Sequence, residues 1–205
     1  MNLLAIGPHP DDIEIGCGGS ILKWRKKGFK IYLMVMTDGS SGGNTSTRRK
    51  EQEQSAVILG AEEVIWGGFR DTELEYQGKV LVDTIENCLR KINPAFVLVN
   101  YPEDTHQDHR ALSAATVSAA RYSKNVLFYE GPTSIEFNPT VFVDISSCME
   151  QKMETLKAHE SQIHKTNIKG MSIIEIATAM AHFRGTQGRV KYGEGFQALR
   201  LFVNI

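Results

Sequence analysis

Two short runs hold the residues best suited to chemistry: His9-Pro10-Asp11-Asp12 near the start of the chain and His106-Gln107-Asp108-His109 near its middle. Each joins imidazole to carboxylate. Such nitrogen and oxygen donors suit a divalent metal, zinc in particular, whose catalytic sites typically use three protein ligands and keep a position open. Either run alone has a plainer explanation. Asp caps helices and Pro stiffens loops, so the first also reads as a turn and N-cap. The second also reads as a solvated helix start. Two such clusters at equivalent places are harder to dismiss, and the elements around them set those places.

Those elements alternate. Short apolar runs at 3–6, 31–36, 64–66, 96–100 and 126–129 read as strands. Helix-period segments at 20–27, 47–59, 80–91 and 109–120 lie between or beside them. Gly28 and Gly60 serve as helix stops, and Asn93-Pro94 closes the third helix. This order predicts an α/β fold, a Rossmann-like, mostly parallel sheet with helices on both faces. A strand at 141–144, helices at 147–161 and 172–182, a structured loop at 192–196 and a last strand at 197–205 complete the expectation. A single domain over 1–205 is the default for this length. The first His/Asp run directly follows the first strand, and the second follows the fourth. Both therefore fall at strand carboxyl ends, where open α/β sheets bind ligands. The Gly- and Ser-rich stretch 37–47 follows the second strand and is expected to be a loop bordering the same pocket.

Glu14 and Gly16 follow the first run, and His106-x-Asp108-His109 lies downstream. On these residues the chain resembles the LmbE-like (PIG-L) family of zinc-dependent N-acetylglucosaminyl deacetylases. Arg48-x-x-Glu51 before Leu59-Gly60, Asp71, Asp144-Ile145-Ser146, Ala158-His159-Glu160-Ser161-Gln162 and Glu194-x-Phe196 extend the resemblance over most of the chain. Gln107 departs from the Pro found in many members, but lies between the functional positions. The resemblance implies that His9, Asp12 and His109 bind Zn2+, or another divalent transition metal. It makes Asp11 the general base. His106 would stabilise the oxyanion or protonate the leaving amine, and Asp108 would orient a histidine. Arg48 and Asp71 would contact substrate, an N-acetylated sugar or sugar conjugate. A homo-oligomer is also implied.

The chemistry agrees with these roles. An amide is a poor electrophile and water a poor nucleophile at neutral pH, and zinc answers both problems. Asp11 and Asp12 are adjacent, so one can ligate while the other faces a water and takes its proton. His106 precedes His109 by one helical turn and can reach the opposite side.

Other signals are weaker. Glu14 either tunes the metal site or favours the helix dipole. Gly16-Cys17-Gly18-Gly19 lacks Walker spacing and reads as close packing, with Cys17 a buried small residue. The basic run at Lys23, Arg25, Lys26 and Lys27 reads as a solvated helix face. His159 and His164 lie too far away in sequence to assign. The net charge of −1 supplies no field for nucleic acid, and no apolar run is long enough for a membrane span. Three scattered cysteines fit a reducing, cytoplasmic setting, and the N-terminus reads as a strand rather than a signal peptide. Two rival readings stand beside the deacetylase. One is a Rossmann-like nucleotide-binding module with a structural metal, disfavoured because the first strand–helix turn lacks GxGxxG. The other is a hydrolase of the same scaffold acting on a non-sugar amide or an amine-bearing antibiotic precursor.

Overall fold

The computed structural model describes residues 1–203. Strands β1 (Asn2–Gly7), β2 (Lys30–Thr37), β3 (Ala61–Phe69), β4 (Phe96–Asn100), β5 (Val126–Tyr129), β6 (Val141–Asp144) and β7 (Gly193–Arg200) form one sheet in the order β3-β2-β1-β4-β5-β7-β6. The first five run parallel, and β7 lies antiparallel between β5 and β6. Helices α1 (Asp12–Lys26), α2 (Thr45–Leu59), α3 (Gly78–Ile92), α4 (Gln107–Ala119), α5 (Met149–Lys157) and α6 (Ile173–Gly188) cover it.

The strand residues dictate this layering. Successive side chains on a strand face opposite ways. Leu3 and Ala5 of β1 pack with Ile13 and Ile21 of α1 and Leu59 of α2. Leu4 and Ile6 pack on the other face with Leu81 and Ile85 of α3 and Leu112 of α4. A parallel strand buried on both faces must therefore be apolar at every position, as Leu3–Leu4–Ala5–Ile6 is. Each large aliphatic side chain so buried contributes roughly 1.5–3 kcal/mol before entropy is counted.

The strand order reverses between β1 and β4, which pair directly but are separated in sequence by β2 and β3. At such a switch point the loops leaving the two strands diverge to opposite faces and open a crevice. His9 through Asp12 leave β1 there, and 101–109 leave β4.

Several boundaries differ from the sequence expectation. Helix α1 begins at Asp12, not at residue 20. Gly16, Gly18 and Gly19 weaken a helix intrinsically, but tertiary packing demands two of them. A Cβ on Gly16 would lie 2.1 Å from the Tyr129 ring, and one on Gly19 would lie 2.9 Å from Ile145. The helix kinks at Cys17, and the Gly19 and Ser20 N–H groups donate to the Glu194 carboxylate. Lys152 ion-pairs with that buried carboxylate and also donates to the Ile15 carbonyl. Gly193 to Phe196, read as loop, form the first half of β7. Their glycines serve close approach: a Cβ on Gly195 would meet Pro139 at 2.8 Å. The last strand ends at Arg200, and residues 204–205 of its expected span lie outside the described residues. The 147–161 helix is shorter, with α5 flanked by 3-10 turns at Ser146–Cys148 and Glu160–Gln162. The 37–47 stretch is partly ordered as a 3-10 turn, Ser40–Gly42, before α2 starts at Thr45 behind the Asn44 cap.

Candidate active site

Asp11 occupies the N-cap of α1 in a left-handed conformation, φ 87° and ψ −25°. Its carbonyl accepts the first helical bond, from Ile15 N, while its side chain caps nothing. This turn sends Asp11 and Asp12 in different directions. Asp12 Oδ2 accepts from the His9 N–H at 3.0 Å and lies 3.1 Å from His9 Nδ1 and 3.5 Å from His109 Nε2. One carboxylate oxygen is thus shared by two imidazoles from opposite sides of the switch point.

Each of those imidazoles is backed by further carboxylates. His9 Nε2 lies 3.0 Å from Asp71 Oδ1 and 3.1 Å from Asp108 Oδ2. His109 Nδ1 lies 3.2 Å from Asp104 Oδ2. Asp108 is fixed in turn by the N–H groups of Thr72 and Leu74, and Asp71 by that of Ser41. His106 caps α4: its Nδ1 accepts from Asp108 N at 3.2 Å. That bond assigns the ring proton to Nε2 whenever the imidazole is neutral. Its ring centroid lies 4.7 Å from that of His9 and 5.0 Å from that of His109.

Acidic groups dominate this cluster, and titration follows. Burial opposes protonation of His9, but Asp108, Asp12 and Asp71 outweigh it and raise its pKa well above the ordinary value. Burial likewise works against His109, yet Asp12 and Asp104 push it up to about 9. Burial raises Asp12, but the two histidines hold it far below the usual carboxylate range. His106 moves the other way. Its own burial, then the neighbouring His9 and His109, lower its pKa, so it is neutral near pH 7. Burial raises Asp11 to about 6, against the Arg48 guanidinium and with the repulsion of Asp12. Burial raises Asp71 too, but its contacts with His9 and Ser41 bring it to about 2.

His9, Asp12 and His109 offer donor atoms within 4.8 Å of one another, and so do His9, His106 and Asp108. The donor set fits a divalent cation: imidazole and carboxylate, with carboxylates holding the far side of the rings, and a bound cation would displace the protons that His9 and His109 otherwise hold. The structure therefore brings six of the expected residues, His9, Asp11, Asp12, His106, Asp108 and His109, into one cluster. Arg48 and Asp71 join it with protein partners of their own. Arg48 is buried and donates to the carbonyls of Gly39 at 2.7 Å and Pro10 at 2.8 Å, with Asp11 Oδ2 at 3.5 Å.

Four neighbours had gone unassigned. Asp104 carried a signal, an acid on the same loop five positions before His109. Glu14, left open, is wholly buried and accepts from Gln52 Nε2 and Ser55 Oγ at 2.7 and 2.8 Å. Gln52 Oε1 in turn accepts the Asp11 N–H at 3.3 Å. His159 is buried beside them, its Nε2 3.7 Å from Glu14 Oε1.

The family model for GlcNAc-PI de-N-acetylase (PIG-L) matches residues 4–120, which include both His/Asp runs. The chain belongs to this family. A diacetylchitobiose deacetylase from Thermococcus kodakarensis is 34% identical over 186 residues, covering 78% of this chain and 69% of that protein. A probable N-acetyl-alpha-D-glucosaminyl L-malate deacetylase from Bacillus cereus is 28% identical over 183 residues, covering 78% and 83%. The solved structure of N,N'-diacetylchitobiose deacetylase from Pyrococcus horikoshii superposes with a TM-score of 0.85 at 30% identity, over 97% of this chain and 83% of that one. This member of the PIG-L family is an N-deacetylase, and the cluster at the β1/β4 switch point is its candidate active site.

Proposed function

We propose that the protein hydrolyses the acetamide of an N-acetylglucosamine-like sugar or conjugate, releasing acetate and a free amine, with zinc held by His9, Asp12 and His109. One observation carries this reading. Asp12 faces both His9 Nδ1 and His109 Nε2, while the opposite nitrogen of each ring is already backed by an aspartate. That division separates inward donors from outward orienting groups, as metal-binding histidines require. The second possible triplet would use Asp108, but its carboxylate is already occupied by two backbone N–H groups and His9. The substrate class follows the relatives that act on diacetylchitobiose and on the N-acetylglucosaminyl malate conjugate.

Zinc supplies Lewis acidity, activating water near neutral pH and polarising the amide carbonyl. Asp11, close to this centre but turned away from Asp12, takes the proton of the attacking water. Burial, which raises the Asp11 pKa, favours holding that proton between its transfer from water and its return to the departing amine. His106, neutral with its proton on Nε2, donates to the developing oxyanion. Asp108 positions His9. Arg48 and Asp71 act mainly through the walls, holding Pro10, Gly39 and Ser41 in place.

Metal stoichiometry measured beside acetate release from N-acetylglucosamine and chitobiose derivatives tests the assignment. Asp11→Asn should retain metal and lose about 10²–10⁴ in rate. Asp12→Asn should lose metal affinity itself. His106→Ala should retain metal and lose turnover. Full activity in all three variants would refute the mechanism.

A further inference from the structure

The buried carboxylate of Asp104 meets groups from two parts of the chain. Its Oδ1 accepts the His106 N–H at 2.9 Å, and its Oδ2 lies 3.2 Å from His109 Nδ1. Those two partners belong to its own stretch of chain, two and five positions away. Another partner is remote. Ser134 Oγ lies 3.3 Å from the same Oδ2, across 30 positions.

Ser134 sits in the connection between β5 and β6, and backbone pairing holds that connection against the loop after β4. The Thr105 N–H donates to the Thr133 carbonyl at 3.2 Å, and the Ile135 N–H to the Glu103 carbonyl at 2.8 Å. Asp104 and Ser134 form an antiparallel bridge between these bonds. Such a pair, without hydrogen bonds of its own, brings its two side chains closest together. The start of the connection is anchored by Arg184 of α6, whose guanidinium grips both oxygens of Glu130. The Ser134 hydroxyl has one proton to give. Its oxygen accepts the Gly131 N–H at 2.9 Å, so the O–H is left to donate to Asp104 Oδ2. The connection also passes close to the imidazole: a Cβ on Gly131 would lie 3.7 Å from Asp104 Oδ2 and 4.0 Å from His109 Cε1. The Thr133 side chain also stands near the Asp104 carboxylate.

We infer that Ser134 is a positioning residue for the metal centre: its hydroxyl fixes the Asp104 carboxylate, which in turn holds the His109 ring with Nε2 toward Asp12; this rests on His109 being a zinc ligand, as proposed above. Without Ser134, the carboxylate would be fixed mainly by groups of its own loop, the His106 N–H and the ring it must orient. With it, Asp104 is tied to a second element, and the imidazole keeps one tautomer and one direction. Ser134 contributes no ligand and acts only through Asp104.

The test measures zinc affinity by competition with a chromophoric chelator, beside the visible spectrum of the cobalt-substituted protein. Ser134→Ala should weaken zinc binding about fivefold, the order of one hydrogen bond, and shift the cobalt bands. Ser134→Thr, which keeps the hydroxyl, should restore both. Asp104→Ala should cost more, and adding Ser134→Ala to it should cost nothing further, because the partner through which Ser134 acts is gone. Wild-type affinity and spectrum in Ser134→Ala would overturn the role. So would a loss of the same size with and without Asp104, which would mark a general loosening of the loop. A larger effect from Thr133→Val than from Ser134→Ala would overturn it too. His109→Ala separates this role from the ligand assignment, since it should abolish tight zinc binding. If His109→Ala keeps wild-type zinc affinity, the ligand reading fails and the Ser134 role with it. If His109→Ala loses zinc while Ser134→Ala binds as wild type, only the Ser134 role fails.

Discussion

Asp11 holds a backbone conformation that costs a non-glycine residue about 1–2 kcal/mol. Gln52 takes its N–H, Glu14 holds Gln52, and Arg48 stands beside its carboxylate. Together these contacts keep the proposed base turned away from its neighbour. His109, by contrast, is oriented by one contact, with Asp104 fixing Nδ1 so that Nε2 faces Asp12. Asp104→Ala should therefore weaken metal affinity or activity roughly 10- to 100-fold. Competition titration against a chromophoric chelator measures it, and unchanged affinity would mean that the ring is oriented without this carboxylate. The clustered His and Asp residues were legible in the sequence because each run is local, with donor types and spacing visible within four residues. Gln52, Glu14 and His159 were not. A glutamine within a polar helix carries no mark of its partner, and Gln52 meets Asp11 across 41 positions only because α2 packs beside α1.

The kink in α1 shows the same limit one level up. Its glycines read as close packing, but the partners they pack against, Tyr129 and Ile145, lie far along the chain. The N–H groups freed at the kink are held by Glu194, and Lys152 neutralises that carboxylate at a buried depth. Lys152→Met should cost about 3–5 kcal/mol, because it leaves a buried carboxylate uncompensated. Adding Glu194→Gln should recover part of the loss, since the amide remains polar without charge. Urea melts of the two single variants and the double close the cycle, and strictly additive losses would show that the two side chains do not act as a pair. The alternation of strands and helices was readable because apolar runs and polar-faced helices differ in period. β7 was misplaced at its start because glycines selected for close packing look like loop residues.

At the scale of the molecule, the strand order β3-β2-β1-β4-β5 puts the two His/Asp runs side by side, although His9 and Asp108 are 99 positions apart. The sequence indicated a shared sheet edge, but not that β1 and β4 are neighbours, which is a fact of pairing rather than of pattern. A cation that binds only this assembled cluster must stabilise the fold. Zinc at a hundred times its dissociation constant should add about 2.7 kcal/mol. Thermal melts with zinc and after chelation test this, and equal melting temperatures together with stoichiometric metal binding would mean that the unfolded chain binds as well. The same pairing bears on how the chain is made. β2 can cover one side of β1 early in synthesis, but the other side waits for residues 96–99. Until they leave the ribosome, Leu3, Leu4, Ala5 and Ile6 present a bare apolar edge, open to any other unfinished strand. The topology that unites the two halves of the site thus makes the nascent protein depend on protection of residues 3–6.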